Sequence, residues 1–149
     1  MKKTLFALSI FLVSSLHAAP SMEYYKLIVY HFSSNEQEKK LDNFIANQFI
    51  PALHLKGFKQ VGVFKPIAND TANDKQIVLL INGANLNRLI EPIQWNIKEG
   101  TAFNEPLYKR YEQILLRAFK DMPLMKIPND ASKKVERIYE LRNYESPTE

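Results

Sequence analysis

The sequence predicts an α+β fold, in which a four-stranded antiparallel sheet carries two helices on one of its faces. First, β-type runs and amphipathic helical repeats follow one another as strand, helix, strand, strand, helix, strand, the order of the ferredoxin-like βαββαβ module. Second, the opening strand, Tyr24–Phe32, is apolar on both faces, which is typical of a sheet covered on both sides. Third, this strand occurs twice in the chain. We therefore expect a second copy of the module to cover the bare sheet face.

The second copy of the opening strand lies near the C-terminus. The stretch Arg137–Ser146, RIYELRNYES, matches Glu23–Phe32, EYYKLIVYHF, in a single register at three pairs, Tyr25/Tyr139, Leu27/Leu141 and Tyr30/Tyr144. Residues 121–136, which precede this stretch, contain two prolines and mixed charge, as linkers do. We therefore divide the chain into a first repeat at 20–120, a linker at 121–136 and the first strand of a truncated second repeat at 137–149.

Residues 1–19 have the three parts of a secretory signal peptide. Two lysines form the basic start, Thr4–Leu16 is the apolar part, and Ala18 and Ala19 are small residues that a signal peptidase accepts. The apolar run is shorter than the roughly 20 residues that span a bilayer. We expect cleavage after Ala18 or Ala19, a periplasmic or secreted protein, and no membrane attachment once the signal is removed.

Composition narrows the chemistry further. Without the two lysines of the signal segment, the 20 basic residues become 18 against 16 acidic ones, so the formal net charge falls from +4 to +2. Such a weak excess argues against nucleic acid as a partner. The chain has no cysteine, which excludes disulfides, thiolate metal sites and a cysteine nucleophile. An apolar content of 46% is enough for an ordinary hydrophobic core.

The first helix follows the opening strand directly. Ser34 and Gln37 have the spacing of a capping box. Helical spacing then places one apolar stripe along the segment, formed by Leu41, Phe44, Ile45, Phe49 and Ala52. Pro51 lacks the N–H that would bond back to Asn47, so we expect the helix to bend or split there. Gly57 is placed to end the helix as a C-cap.

The rest of the module supplies two paired strands, a second helix and a closing strand. Phe58–Ile67 and Gln76–Ile81 are predicted to pair as an antiparallel hairpin. Asn85 can cap the second helix, which Pro92 should divide into two short pieces. The apolar residues of this helix are Leu86, Leu89, Ile90, Ile93 and Ile97. Tyr108–Phe119 is the predicted last strand.

Four segments resemble the NIPSNAP family, in particular its exported members with two repeats. They are the second opening strand, Tyr139–Tyr144, and the stretches Ile50–Leu53, Val61–Pro66 and Ile114–Phe119. The resemblance covers the chain from about Met22 onward and implies the dimeric α+β barrel fold, in which two ferredoxin-like sheets face each other. The partner it implies is a second copy of the module, supplied by a homodimer or by a second repeat in the same chain. The biochemical role of the family is largely unsettled.

Two departures from the family pattern are visible. The first repeat has Lys26 and Ile28 where the signature has Glu and Arg, which Glu140 and Arg142 keep in the second repeat. The stretch Gln94–Phe103 is shorter than its counterpart in related proteins. A cavity lined by this stretch would therefore differ here.

Strand alternation indicates where a small apolar ligand would bind. Lys26 and Tyr30 share one face of the first strand, and Gln113 and Arg117 share one face of the last. If both faces point into the barrel, these four polar groups converge in an apolar cavity, the usual form of a small-molecule site. His31, at the end of the first strand, would stand near the mouth. The alternative is that Lys26 and Arg117 reach the rim, pair with acids there and bury only their stems.

The sequence predicts no metal and no cofactor. Outside the signal segment the histidines are His31 and His54, and neither has acidic residues at ligand spacing. His54 falls on the solvent side of the first helix unless Pro51 changes the helical phase. Phosphate-binding glycine loops, nucleophile elbows and paired-carboxylate motifs are missing from the sequence.

Two functions remain open from the sequence. The first is an exported binding module that takes a small ligand or a partner through its sheet face. The alternative is a cofactor-free enzyme, similar to monooxygenases or isomerases, that uses the barrel cavity. The alternative rests on fold analogy alone, and a fold does not determine a reaction.

Overall fold

The computed structural model describes residues 22–92, 106–127, 137–142 and 144. In chain order its regular elements are β1 (Tyr24–Phe32), α1 (Asn35–Phe44), a π-helical turn (Ile45–Phe49), α2 (Ile50–Leu55), β2 (Val61–Phe64), β3 (Lys75–Gly83), α3 (Leu86–Ile90) and β4 (Arg110–Arg117). None of the helices described is long and apolar enough to cross a membrane. The predicted signal peptide at 1–19, the second piece of the second helix and residues 128–136 of the predicted linker lie outside the described residues.

The four strands form an antiparallel sheet in the order β2-β3-β1-β4. The central strand β1 pairs with β3 and β4, so that Ile28 lies opposite Leu79 on one side and Gln113 on the other. β2 pairs with β3 as the predicted hairpin. The α+β class with an antiparallel sheet is therefore confirmed, and the strand order is compatible with a ferredoxin-like arrangement.

One face of the sheet packs against the helices and forms the core. The buried residues of this core are Ile28, Tyr30, Phe32, Leu41, Ile45, Phe49, Leu53, Phe58, Ile77, Leu79, Ile81 and Leu89. Each fully buried large apolar side chain contributes about 1.5–3 kcal/mol. Leu27 and His31 are also buried, although they lie on the opposite face of β1. β1 therefore has buried residues on both faces, and coverage of the second face by another copy of the module stays a prediction.

The predicted start and end of the first helix are confirmed. Ser34 is the N-cap, and its Oγ accepts a hydrogen bond of 3.1 Å from the backbone N of Gln37. Gly57 adopts a φ of 87°, a left-handed conformation that glycine takes without steric cost. The N of Phe58 then donates to the carbonyl of Leu53 at 3.0 Å, which completes a Schellman-type end.

Pro51 interrupts the regular helix as predicted, through a π-helical turn instead of a sharp break. In this turn the N–H of Ile50 bonds to the carbonyl of Ile45, five residues back. Pro51 then stands in the first turn of α2, where its missing N–H removes little. His54, on α2, is exposed, as its position in the sequence predicts.

Two strands are shorter than the sequence predicts. β2 was expected to begin at Phe58, but the Phe58 side chain packs in the core, and the ladder starts only at Val61. β4 was expected to reach Phe119, but the chain turns there and Phe119 forms an isolated bridge with Met122. At Phe58 the chain ends a helix, and at Phe119 it forms a turn. Both conformations compete with strand pairing.

The predicted second opening strand is not a strand in the part described, residues 137–142 and 144. Instead, the Tyr139 ring packs edge-on against Phe64 of β2, with 5.2 Å between ring centroids. The stretch therefore lies beside β2 without joining the sheet ladder. The division of the chain into two repeats stays a prediction.

Candidate functional site

The five residues predicted to bind a ligand lie on two different faces of the sheet. In the β1–β4 register, Lys26 lies opposite Leu115 and Ile28 lies opposite Gln113. Alternation therefore places Lys26, Tyr30, Gln113 and Arg117 together on the helix-packed face. His31 lies on the other face, which we call the open face because no described helix packs on it. Lys26, Tyr30, Gln113 and Arg117 share a face as predicted. A second sheet would cover the open face instead, which is the opposite side. Ligand binding by these four residues stays a prediction.

Lys26 is buried within the helix-packed side. Its side chain is 7% exposed, and Nζ donates a hydrogen bond of 3.2 Å to the carbonyl of Leu89 in α3. Desolvation by burial lowers the pKa of this ammonium. Arg117 is exposed, and its guanidinium lies 3.5 Å from Met22 Sδ. Neither residue makes the predicted pair with an acid among the residues described.

Tyr30 belongs to a group of three tyrosine rings at one end of the sheet. Its ring centroid lies 5.1 Å from that of Tyr108 and 6.1 Å from that of Tyr111. Burial, together with the two neighbouring tyrosines, raises the pKa of the Tyr30 hydroxyl well above its ordinary value. The hydroxyl therefore stays protonated at physiological pH and cannot serve there as a general base.

His31 is the centre of a charged cluster on the open face, which we call the His31 cluster: His31, Asp74, Arg110 and Glu112. The imidazole is 4% exposed, and its Nδ1 lies 2.8 Å from Asp74 Oδ2. Nε2 lies 3.3 Å from Glu112 Oε1, close enough for ion pairing but outside hydrogen-bond geometry. Arg110 pairs with Glu112 and lies 3.8 Å from Asp74. The cluster joins the ends of β1, β3 and β4.

The two carboxylates of the His31 cluster both have lowered pKa values. The hydrogen bond from His31 is the main cause of the lowered pKa of Asp74, and the hydrogen bond from Arg110 is the main cause for Glu112. Because Asp74 and Glu112 approach opposite nitrogens of one ring, the three side chains do not converge on a single point. No group of three acidic or histidine ligands suited to a metal occurs in the described part of the chain.

A cavity of about 650 Å³ lies along β2, between this edge strand and two segments from the C-terminal part of the chain. Phe64 and Leu80 of the open face line it, and Ile127, Ile138 and Tyr139 lie across from them. Its volume falls in the range of about 300–1,000 Å³ that is typical of small-molecule sites. The cavity is therefore a candidate ligand site.

The charged residues among those described in the cavity lining are Lys65, Lys126 and Arg137, and all three are basic. Lys65 is neutralised, because its Nζ lies 2.7 Å from Glu38 Oε1 and 2.6 Å from Asp42 Oδ2. Lys126 and Arg137 also line the cavity, and neither has an acidic partner within 22–92, 106–127, 137–142 and 144. The Nη2 atom of Arg137 is buried without a hydrogen-bond partner. The cavity therefore combines apolar side chains with two positive charges that have no acidic partner in the described part of the chain.

Comparison of this chain with protein-family models, with curated proteins and with solved structures finds no match. The resemblance to NIPSNAP proteins therefore rests on the four sequence segments alone.

Sequence reasoning placed the ligand site on β1 and β4 and missed the cavity beside β2. One signal was present: Gly62 interrupts the apolar run of β2, as glycine does where another group approaches a strand closely. A Cβ atom at Gly62 would stand 2.5 Å from Cε2 of the Phe64 ring. The contact between Phe64 and Tyr139 joins residues far apart in the sequence, and no local pattern predicts it.

Proposed function

We propose that this protein is an exported, NIPSNAP-like binding module that pairs through its open sheet face with a second copy of itself. The observation that carries this proposal is the exposure of β4. Four large apolar side chains on β4, namely Tyr111, Ile114, Leu115 and Leu116, are each 42–49% exposed. An edge strand with apolar residues exposed on both faces favours association with another chain.

The association is proposed to take place on the open face. On this face Ile114 lies opposite Leu27, which is buried, and Leu116 lies opposite Tyr25, which is half-buried, so the exposed apolar surface lies mainly on β4. The β2 side of the same face is occupied by the C-terminal stretch through Tyr139. The β4 edge of the β1–β4 half is thus the part available to a partner. In the dimeric α+β barrel arrangement, a second sheet would pack against this half.

A binding role fits the cavity better than an enzymatic role. A general acid–base enzyme needs a titratable group with a suitable pKa in contact with its substrate. The described residues that line the cavity include no Asp, Glu or His. Burial desolvates Lys65, but its hydrogen bonds to Asp42 and Glu38 prevail and raise its pKa, so this lysine is protonated at neutral pH. An apolar cavity with fixed positive charges binds ligands without supplying a base.

Sedimentation velocity at micromolar concentration tests the pairing. The protein is expected to be a dimer, with an interface that buries at least about 1,200 Å² in total. Ile114→Lys places a charge on the open face and should shift the protein to monomer. Leu55→Lys is the matched control, because Leu55 is 91% exposed on α2, away from the sheet face, and this variant should remain a dimer. A wild-type protein that stays monomeric at all concentrations would overturn the proposal.

A further inference from the structure

Building on the binding role proposed above, we infer that the cavity beside β2 binds a single-chain amphiphile with an anionic headgroup. Arg137 and Lys126 hold the headgroup, and the apolar tail lies between Phe64 and Ile138. The ligand class follows from the charge, the lining and the size of the cavity, each of which is set by residues that the structure describes. Binding of this ligand does not require the second copy of the module.

The unpaired guanidinium of Arg137 determines the sign of the ligand charge. Arginine stays charged at all physiological pH values and offers five N–H donors. Its Nη2 is out of contact with solvent and donates to no group in the described ranges, an arrangement that costs free energy unless a partner is supplied. Lys126, in the same lining, adds a second positive charge. An anionic headgroup in the cavity is attracted by both positive charges, whereas a cationic ligand would be repelled.

The lining between these charges determines the rest of the ligand. Phe64 and Leu80 present apolar surface from the sheet, and Ile127, Ile138 and Tyr139 present it from the opposite side. Ile138 lines the cavity and is 78% exposed to solvent. An acyl or alkyl chain inserted here would remove apolar area from water on both sides at about 25 cal/mol per Å². A small polar anion would leave this area exposed and would bind weakly.

Isothermal titration calorimetry tests the inference, with dodecanoate kept below its critical micelle concentration. The protein used has the N-terminus that it has in cells. Three further probes separate the contribution of the headgroup charge from that of the apolar chain. Dodecyltrimethylammonium has the same chain with a positive headgroup, acetate has the same headgroup without the chain, and dodecyl phosphate exchanges one anionic headgroup for another. Dodecanoate and dodecyl phosphate are expected to bind with one site per chain. Dodecyltrimethylammonium and acetate are expected not to bind measurably.

Two variants test the assigned residues. Arg137→Gln removes one charged partner of the headgroup and should weaken dodecanoate binding by about tenfold or more. Arg142→Gln is the matched control, because Arg142 is exposed and paired with Glu140 at 2.7 Å, outside the cavity lining, and it should leave the affinity unchanged. Ile138→Ser should weaken dodecanoate binding without affecting the fold, because this exposed residue lies outside the core.

Equal binding of the cationic and anionic amphiphiles, or an unchanged affinity of Arg137→Gln, would overturn the inference and indicate nonspecific hydrophobic adsorption. The proposal of a dimer can be refuted independently of the ligand assignment. Ile114→Lys should be monomeric and still bind dodecanoate, because Ile114 does not line the cavity. A monomeric wild-type protein that binds dodecanoate with the expected selectivity would refute the pairing and leave the ligand assignment intact.

Discussion

The carboxylate of Glu23 and the backbone of Met125 are joined by a hydrogen bond of 2.7 Å. The second oxygen of the same carboxylate accepts a hydrogen bond of 2.9 Å from Nδ2 of Asn82 in β3. The backbone N of Glu23 also donates to the carbonyl of Pro123 at 2.8 Å. One residue before β1 thus fixes the chain that leaves β4 against the start of the sheet, and this chain forms one wall of the cavity beside β2.

Glu23→Ala should therefore destabilise the protein by about 1–3 kcal/mol, because the carboxylate loses its hydrogen bonds from Met125 and Asn82 and a longer one from Tyr25. Urea denaturation followed by circular dichroism measures the change in the free energy of unfolding. Glu91→Ala is the control, since Glu91 is an exposed carboxylate beyond α3, and it should change stability by no more than about 0.5 kcal/mol. Equal effects of the two substitutions would show that Glu23 does not anchor the chain after β4.

The His31 cluster makes stability sensitive to acid. The pKa values of Asp74 and Glu112 are lowered in the folded protein from their ordinary values of 3.8 and 4.5. A carboxyl group with a lowered folded pKa stabilises the protein above its unfolded pKa, and this contribution is lost as the pH falls through the folded pKa. Stability should thus decline as the pH drops below about 4.5.

Asp74→Asn tests this pH dependence. The variant should be less stable than the wild type at pH 7, and the difference should shrink as the pH is lowered below the ordinary pKa of 3.8. Asp70→Asn is the control in the same loop, because within the described residues Asp70 bonds to Lys75 through its backbone carbonyl and not through its carboxylate. Urea midpoints measured at pH 7, 5, 4 and 3 provide the comparison. A constant difference between Asp74→Asn and the wild type across these pH values would contradict the prediction.

How well the sequence predicted the structure depended on the range of each interaction. The bounds of β1, the cap at Ser34, the end at Gly57 and the cap at Asn85 were all predicted correctly, because each depends on neighbouring residues. The face on which Lys26 lies could not be predicted. Period-two alternation assigns faces only when one set of residues is polar, and β1 is apolar on both.

The candidate site was missed for a related reason. The cavity depends on Tyr139 packing on Phe64 and on Glu23 fixing the chain at Met125, and both contacts join distant parts of the sequence. The repeat of the opening strand led us to expect a strand at Arg137–Ser146. Strand propensity is context-dependent, however, and a segment without a suitable partner edge need not form a ladder.

Lys26→Met should stabilise the protein by about 1 kcal/mol at pH 7, because the buried ammonium has one carbonyl as its hydrogen-bond partner among the described residues. Desolvation lowers the folded pKa of Lys26 below its ordinary value of 10.5, so the charged form is better accommodated in the unfolded chain. This penalty fades as the pH rises through the folded pKa, and the advantage of Lys26→Met should shrink at alkaline pH. Lys59→Met, at an exposed position, is the control. A variant less stable than the wild type would show that the bond to Leu89 outweighs desolvation.

The last prediction concerns the C-terminal stretch, which contacts β2 but contributes little burial. Ile138, Leu141 and Tyr144 are each more than 70% exposed, and the ring contact between Tyr139 and Phe64 contributes about 0.5–1.5 kcal/mol. Truncation after Asp130 should therefore lower the melting temperature by no more than about 12 °C, since 1 kcal/mol corresponds to about 4–8 °C in a domain of this size.

Truncation after Lys120 is the matched comparison. It also removes Pro123 and Met125, with their hydrogen bonds to Glu23, and should lower the melting temperature at least twice as far. Truncation after Asp130 should abolish dodecanoate binding while the fold persists, because Arg137 and Ile138 are then missing from the cavity. Differential scanning calorimetry and titration of the same samples give both results. If truncation after Asp130 unfolds the protein, the stretch is an integral part of the first module, and the division into two repeats is wrong.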